Sequence, residues 1–310
     1  MGITGPRRHR RGLLAACLLI VGLLDQGACR TNAQGIEGLI LGGDDAEPGE
    51  FPYMVTLQRG RFLDHFCGGA LITPNVVITA AHCVEQTLNS NAPPQFPTMR
   101  VGGVERLNGK AKPNEIVEVF KACKRVVHPE FTGDLTQGFD IALLMINGSS
   151  SAVQAKVDSD PGLEVGVELT AIGFGLFGNG SLPARRLQKT DFLAYITNEE
   201  CTKLYEPIGL PIIDTMMCAF DTESDACKGD SGGPLLTKAG FGDGRNKDGD
   251  RTDVIVGLTS FGPEQGCGDM EKPAVYTRVS SFFDWIMASI EDMSSAAFSG
   301  DQNPECNEEP

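Results

Sequence analysis

Beyond residue 33 the chain has no apolar run that approaches the ~20 residues needed to cross a bilayer. It is also poor in positive charge: 26 Lys and Arg stand against 41 Asp and Glu, a net charge of −15. Five of the 26 and one of the 41 lie in residues 1–33. The remainder therefore holds 21 and 40 and carries −19. Such a surface repels nucleic acid and anionic lipid, keeps the protein soluble, and attracts cationic substrates at low salt. No internal repeat is visible in the sequence. Histidine occurs only four times, so one inside a chemically suggestive string carries weight.

The start of the chain is richer. Arg7, Arg8, Arg10 and Arg11 form a basic region, Leu13 to Leu24 is apolar, and Gly27, Ala28, Thr31 and Ala33 offer small-residue cleavage points. That pattern predicts a secretory signal peptide over 1–33. Ten cysteines agree with an oxidising destination.

Most of the body reads as short β-runs separated by Gly, Pro, Asn and Asp: 53–57, 70–73, 76–79, 116–120, 141–146, 169–172 and 254–258. Short strands at this spacing predict an all-β sandwich or barrel, and periodicity does not choose between them. Ser281-Phe282-Phe283-Asp284 fits a capping box, and Phe283, Ile286 and Ile290 follow at helical spacing. A C-terminal helix is expected there, then an acidic, disordered tail over 291–310. Two stretches read as insertions. Residues 242–253 (GDGRNKDGDRTD) hint at a calcium loop but lack the glutamate that closes an EF-hand, so a solvated loop is the plainer reading. Residues 85–98, rich in Asn and Pro, would form a rim.

Three strings carry chemistry. His82 lies in Thr79-Ala80-Ala81-His82-Cys83, Asp140 opens Asp140-Ile141-Ala142-Leu143-Leu144, and Ser231 lies in Gly229-Asp230-Ser231-Gly232-Gly233-Pro234. A serine hydroxyl attacks carbonyls only if a base takes its proton and donors hold the resulting oxyanion. Glycines beside the serine permit a sharp turn that presents N–H groups. The order His, Asp, Ser is one of three known triad arrangements, and it argues against an α/β-hydrolase, where the serine comes first.

With these strings, the chain from 40 to 290 resembles the trypsin/chymotrypsin family of serine proteases. The resemblance implies an all-β fold of two antiparallel six-stranded barrels, joined by a crossover near 147–160, with the active site in the cleft between them. It makes His82 the general base, Asp140 its orienting carboxylate and Ser231 the nucleophile, with the N–H groups of Gly229 and Ser231 as the oxyanion hole. It places Ser260 against the aspartate. It also makes 34–39 a propeptide, with a new N-terminus at Ile40 pairing with Asp230. Leu39, where basic residues are usual, implies an activating protease that accepts leucine.

The same resemblance puts Asp225 at the floor of the specificity pocket, selecting Arg or Lys, with Ala226, Ser260, Gly262 and Ala274 around it. Ala226 replaces a serine that helps lysine, and Ala274 replaces a glycine, so preference for Arg at a reduced rate is expected. Phe174 and Phe261 stand where tryptophan is usual and keep an aromatic ring.

Disulfides Cys67–Cys83, Cys201–Cys218 and Cys227–Cys267 are implied. If Cys17 and Cys29 leave with the leader, Cys123 and Cys306 remain as an even pair that would staple the tail to the first barrel; the alternative is a dangling Cys306 open to intermolecular pairing. Glu115 fits one calcium-ligand position of the family, but Gly103 occupies the other, so no metal or cofactor is expected. Asn147 and Asn179 head glycosylation sequons. The expected protein is a secreted, monomeric endopeptidase zymogen that cleaves after Arg and less well Lys. Its partners would be basic protein or peptide substrates, an activating protease and protease inhibitors. The competing reading is a catalytically silent homologue that serves as a binding or inhibitory module.

Overall fold

Val76-Val77-Ile78-Thr79 offers water no polar face and is wholly buried; Met54 to Gln58 and Ala142 to Leu144 behave alike. Runs of this kind are stable only inside a closed or doubly covered sheet. A computed structural model describes residues 43–85, 95–106, 111–175, 184–220, 230–237, 252–262, 272–295, 298–303 and 306. All lie in the unit Gly38–Pro310.

The described strands are β1 (Asp44–Asp45), β2 (Met54–Arg59), β3 (Asp64–Thr73), β4 (Val76–Thr79), β5 (Thr98–Val101), β6 (Glu118–Val127), β7 (Ala142–Ile146), β8 (Lys156–Val157) and β9 (Glu168–Gly173). They continue with β10 (Gln188–Ile196), β11 (Met216–Phe220), β12 (Pro234–Thr237), β13 (Val254–Phe261), β14 (Ala274–Arg278) and β15 (Asp301–Gln302). The helices are α1 (Asn198–Tyr205) and α2 (Phe283–Ser294).

The strands close into two antiparallel barrels. The first runs β6-β5-β2-β3-β4-β7 and is sealed by β6 against β7. The second runs β10-β11-β14-β13-β12-β9 and is sealed by β10 against β9. Closure removes the free edges that short apolar strands would otherwise expose. Leu57, Leu71, Ile78, Met99, Leu143 and Leu144 fill the first barrel. Leu169, Leu193, Met217, Leu235, Val256 and Tyr276 fill the second. The path from β7 to β9 includes β8, which lies parallel to β13.

Two local expectations need correction. Ser281 does not cap the C-terminal helix: its hydroxyl donates to Asp214 O at 2.9 Å, a 3-10 turn Val279–Phe282 leads in, and Phe282 is the N-cap without a side-chain bond. The chain reaches the helix already turning, so no capping hydroxyl is needed to start it. A true capping box forms instead at Thr197 and Glu200, at the start of α1.

The described residues of 291–310 do not form a disordered stretch. α2 continues to Ser294, and β15 then pairs with β6. A polar composition understated this order because the strand gains its partner from a distant edge rather than from its own apolar content. Among the described residues, no helix is long and apolar enough to cross a membrane.

Candidate active site

His82 follows β4 in a 3-10 turn, Ala81–Cys83. The disulfide Cys67–Cys83 ties that turn to β3, and a cross-link of this size is worth ~2–4 kcal/mol. The His82 backbone N–H donates to Asp140 Oδ1 at 2.9 Å, while ring Nδ1 lies 2.8 Å from Oδ2. An ionised carboxylate only accepts, so Nδ1 carries the proton and Nε2 is left as the basic nitrogen.

Asp140 is 1% exposed. Besides its two bonds from His82, its Oδ2 accepts from Ser260 Oγ at 2.6 Å, and its backbone O accepts from Thr277 Oγ1 at 2.8 Å. A register shift in β13 between Thr259 and Phe261 takes Ser260 out of the pairing with β14. Bulges of this kind re-aim side chains, and here the hydroxyl points across the cleft from the second barrel to the first.

Burial alone would raise the Asp140 pKa. The His82 charge and the bonds from His82 and Ser260 outweigh it and hold the carboxyl below its ordinary value. For His82, burial acts to lower the pKa, but the Asp140 charge and hydrogen bond prevail and raise it.

The residue before Asp140 departs from ordinary backbone geometry. Phe139 has φ 59°, a left-handed conformation costly for any side chain with a Cβ. Its ring stacks on His128 with centroids 5.1 Å apart, and Phe282 and Trp285 close around the same histidine at 5.1 and 4.9 Å. The Ile141 N–H turns back to Phe139 O at 2.8 Å.

Ser231 enters from the second barrel. Its carbonyl accepts from Gly68 N–H of β3 at 2.8 Å, and Gly232 N–H donates to Thr259 O at 2.7 Å. Gly232 has φ 75°, and a Cβ there would collide with Thr79 Oγ1 and lie 2.8 Å from Gly68 O. Only glycine suits this close approach of the two barrels. Within the described residues neither Ser231 Oγ nor His82 Nε2 has an oxygen hydrogen-bond partner; such contacts commonly tighten only with substrate bound. Asp230 is buried and accepts from Gly175 N–H at 2.7 Å. A Cβ at Gly173 or Gly175 would run into its carboxylate.

The structure thus brings His82, Asp140, Ser231 and Ser260 to one cleft. Ala274, 4% exposed, opens β14 opposite Ala219 of β11, and Gly262 ends the described part of the neighbouring wall. Asp225, Ala226, Gly229, Ile40, Asn179 and the Cys227–Cys267 pair lie outside the described residues, as do residues 86–94 and 242–251 of the two insertions. Disulfide Cys201–Cys218 joins α1 to β11, and Cys123–Cys306 joins β6 to the tail. Asn147 lies exposed in a turn, its Oδ1 accepting from Lys121 N–H at 2.8 Å.

Glu115 spends both carboxylate oxygens on backbone N–H groups, of Val104 at 2.9 Å and Lys112 at 2.6 Å. The Arg100 guanidinium packs beside left-handed Gly103, 3.2 Å from where a Cβ would stand. A cation already occupies the charge role there, which fits poorly with calcium. Reading the sequence did not reveal Phe139, Thr277, Gly68 or Gly173. A bulky residue directly before Asp140 was the one available signal.

The Trypsin family model matches residues 40–286. Trypsin Blo t 3 of Blomia tropicalis is 32% identical over 263 residues, spanning 81% of this chain and 85% of that protein. Chymotrypsin-like elastase family member 3B of Macaca mulatta is 34% identical over 262 residues, 81% of this chain and 93% of its own length. Glucanase inhibitor protein 2 of Phytophthora sojae is 32% identical over 278 residues, with 88% and 85% covered. Two closed barrels that meet at a buried aspartate bonded to a half-buried histidine, a glycine-framed serine and a match over most of the length lead to one conclusion: the chain belongs to the trypsin family of serine proteases.

Proposed function

We propose that the protein is a secreted serine endopeptidase, made as a zymogen and activated at Leu39–Ile40, that cleaves after Arg and less efficiently after Lys through an acyl-enzyme. The observation that carries the catalytic part is the Asp140 carboxylate, buried and held by three donors, which orients His82 with Nε2 free to accept a proton. Ser231 Oγ adds to the substrate carbonyl as its proton passes to Nε2. The imidazolium formed is stabilised by Asp140, and it then returns the proton to the leaving amine. Gly229 and Ser231 N–H groups would hold the oxyanion.

The Arg preference rests on Asp225, six residues before Ser231, since a carboxylate at a pocket floor accepts both arms of a guanidinium. The Ala274 methyl narrows that slot. The leader, the cysteine content and the three disulfides support secretion. Peptide-library cleavage by protein processed to Ile40 tests the specificity. Cuts after Arg in excess of Lys, faster in Ala274→Gly, agree with the proposal; cuts after aromatic or small residues refute it. Efficient conversion to Ile40 by added trypsin would refute the leucine-accepting activator.

One observation favours a second reading. A relative whose name is that of a glucanase inhibitor covers 88% of the chain, so a protease-like fold that binds a partner protein is the alternative. His82, Asp140 and Ser231 are all present in this chain, which weighs against it.

A further inference from the structure

The family match ends at residue 286, yet the chain beyond it is built into the first barrel. β15 runs antiparallel to β6, with Asp301 opposite Arg125 and Gln302 opposite Lys124. Asn303 donates its backbone N–H to Cys123 O at 2.8 Å and its Nδ2 to Ala122 O at 3.1 Å. Phe298 is buried in the barrel core, and Cys306 is disulfide-bonded to Cys123.

Arg125 lies beside this strap and is only 5% exposed. One arm of its guanidinium, Nη1, donates to Val84 O at 2.5 Å and sits 3.4 Å from the Glu85 carboxylate. The opposite edge faces the tail: Nε donates to Asp301 Oδ2 at 3.0 Å, and Nη2 contacts the same oxygen. Val84 is the C-cap of the turn that carries His82. Carbonyls at the end of such a turn lack partners within it and welcome a cation. Because the guanidinium is planar, holding one edge against Asp301 aims the other at Val84.

We infer that Arg125 is a positioning residue for His82, and that the C-terminal strap keeps it aimed through Asp301 and the Cys123–Cys306 bond. The inference rests on His82 being the catalytic base. The turn is then pinned on three sides: Cys83 by its disulfide, His82 by Asp140, and Val84 by Arg125. Releasing the third lets the imidazole drift from Asp140, the charged group that faces it among the described residues; Glu85 and Asp301 are the acids that face Arg125. A weaker Asp140 contact means a less basic His82.

The test uses protein cleaved at Leu39–Ile40 with its C-terminal tail intact, in which the His82 ring titration is followed by NMR, its signal assigned by loss in His82→Ala. Fluorophosphonate labelling of Ser231 is followed in parallel. In Asp301→Asn we expect a lower His82 midpoint and labelling slowed by about three- to tenfold. Arg125→Lys, which keeps the charge but loses the fork, should behave alike, and Asp301→Glu should restore both readouts. An unchanged titration and labelling rate in Asp301→Asn, with or without a lower melting temperature, overturns the inference and leaves the strap a stability staple only. Wild-type protein that never labels would sink the protease reading instead, and the NMR comparison would still decide the positioning.

Discussion

At Phe139 two energies oppose each other, and substitutions there separate them. The left-handed backbone, φ 59°, costs a residue with a Cβ about 1 kcal/mol relative to glycine. Against that, the half-buried ring contributes about 1–2 kcal/mol of apolar burial. Its stack on His128, at 5.1 Å and 22° between planes, adds about 0.5–1.5 kcal/mol. Phe139→Gly loses the ring but relieves the strain, for a net destabilisation of about 0.5–2.5 kcal/mol. Phe139→Ala loses the ring and keeps the strain, so it should be about 1 kcal/mol worse than Gly. That order reverses the usual advantage of alanine over glycine. Denaturant midpoints with unchanged slopes measure it. Because Asp140 comes next in the chain, both variants should lower kcat more than they raise KM. An alanine variant as stable as the glycine one, or more so, would refute the claim that strain is stored beside the triad aspartate.

The other predictions concern the same cleft. The activity of wild type should fall as pH drops through the His82 pKa, which Asp140 raises above the ordinary histidine value, because only neutral Nε2 accepts the serine proton. Ser260→Ala removes one of the donors that hold Asp140 below its ordinary pKa. The carboxylate then turns more fully to His82, so the acid limb of kcat/KM should move to higher pH; a shift to lower pH contradicts the geometry. Gly232→Ala should abolish labelling of Ser231 and lower stability by more than 2 kcal/mol, since its Cβ has no room between Thr79 and Gly68; activity near wild type would show that the turn can move. Millimolar calcium should leave the melting temperature unchanged, as Glu115 is already bonded to two N–H groups; a rise abolished by Glu115→Gln would refute that.

Much of this was legible in the chain because the chemistry sits in short contiguous strings. His82 is framed by Ala and a disulfide-bonded Cys and Ser231 by Gly, residues whose character is readable from the string itself. Val76–Thr79 could be read as a strand because every side chain is apolar or β-branched. β10 was harder: Gln188 and Thr190 are buried polar residues that break the alternation, and their burial depends on neighbouring strands. Thr197 and Glu200 form a capping box, whereas Ser281 has the pattern of one without forming it. The aim of Ser260 comes from a bulge in β13, set by pairing with β14 rather than by its own neighbours. The tail followed the same logic. Asp301 and Cys306 are polar or isolated in sequence and gain order only from β6, some 180 residues earlier by the Cys123–Cys306 separation of 183.

The proposed function stands on His82, Asp140 and Ser231 forming a working triad. Labelling with a fluorophosphonate probe, after cleavage exposes Ile40 and with Ser231→Ala as control, tests it most directly. Labelling of the wild type should disappear in the variant and decline at acid pH. No labelling of folded, processed protein would contradict it and move the function to partner binding by a protease-like fold.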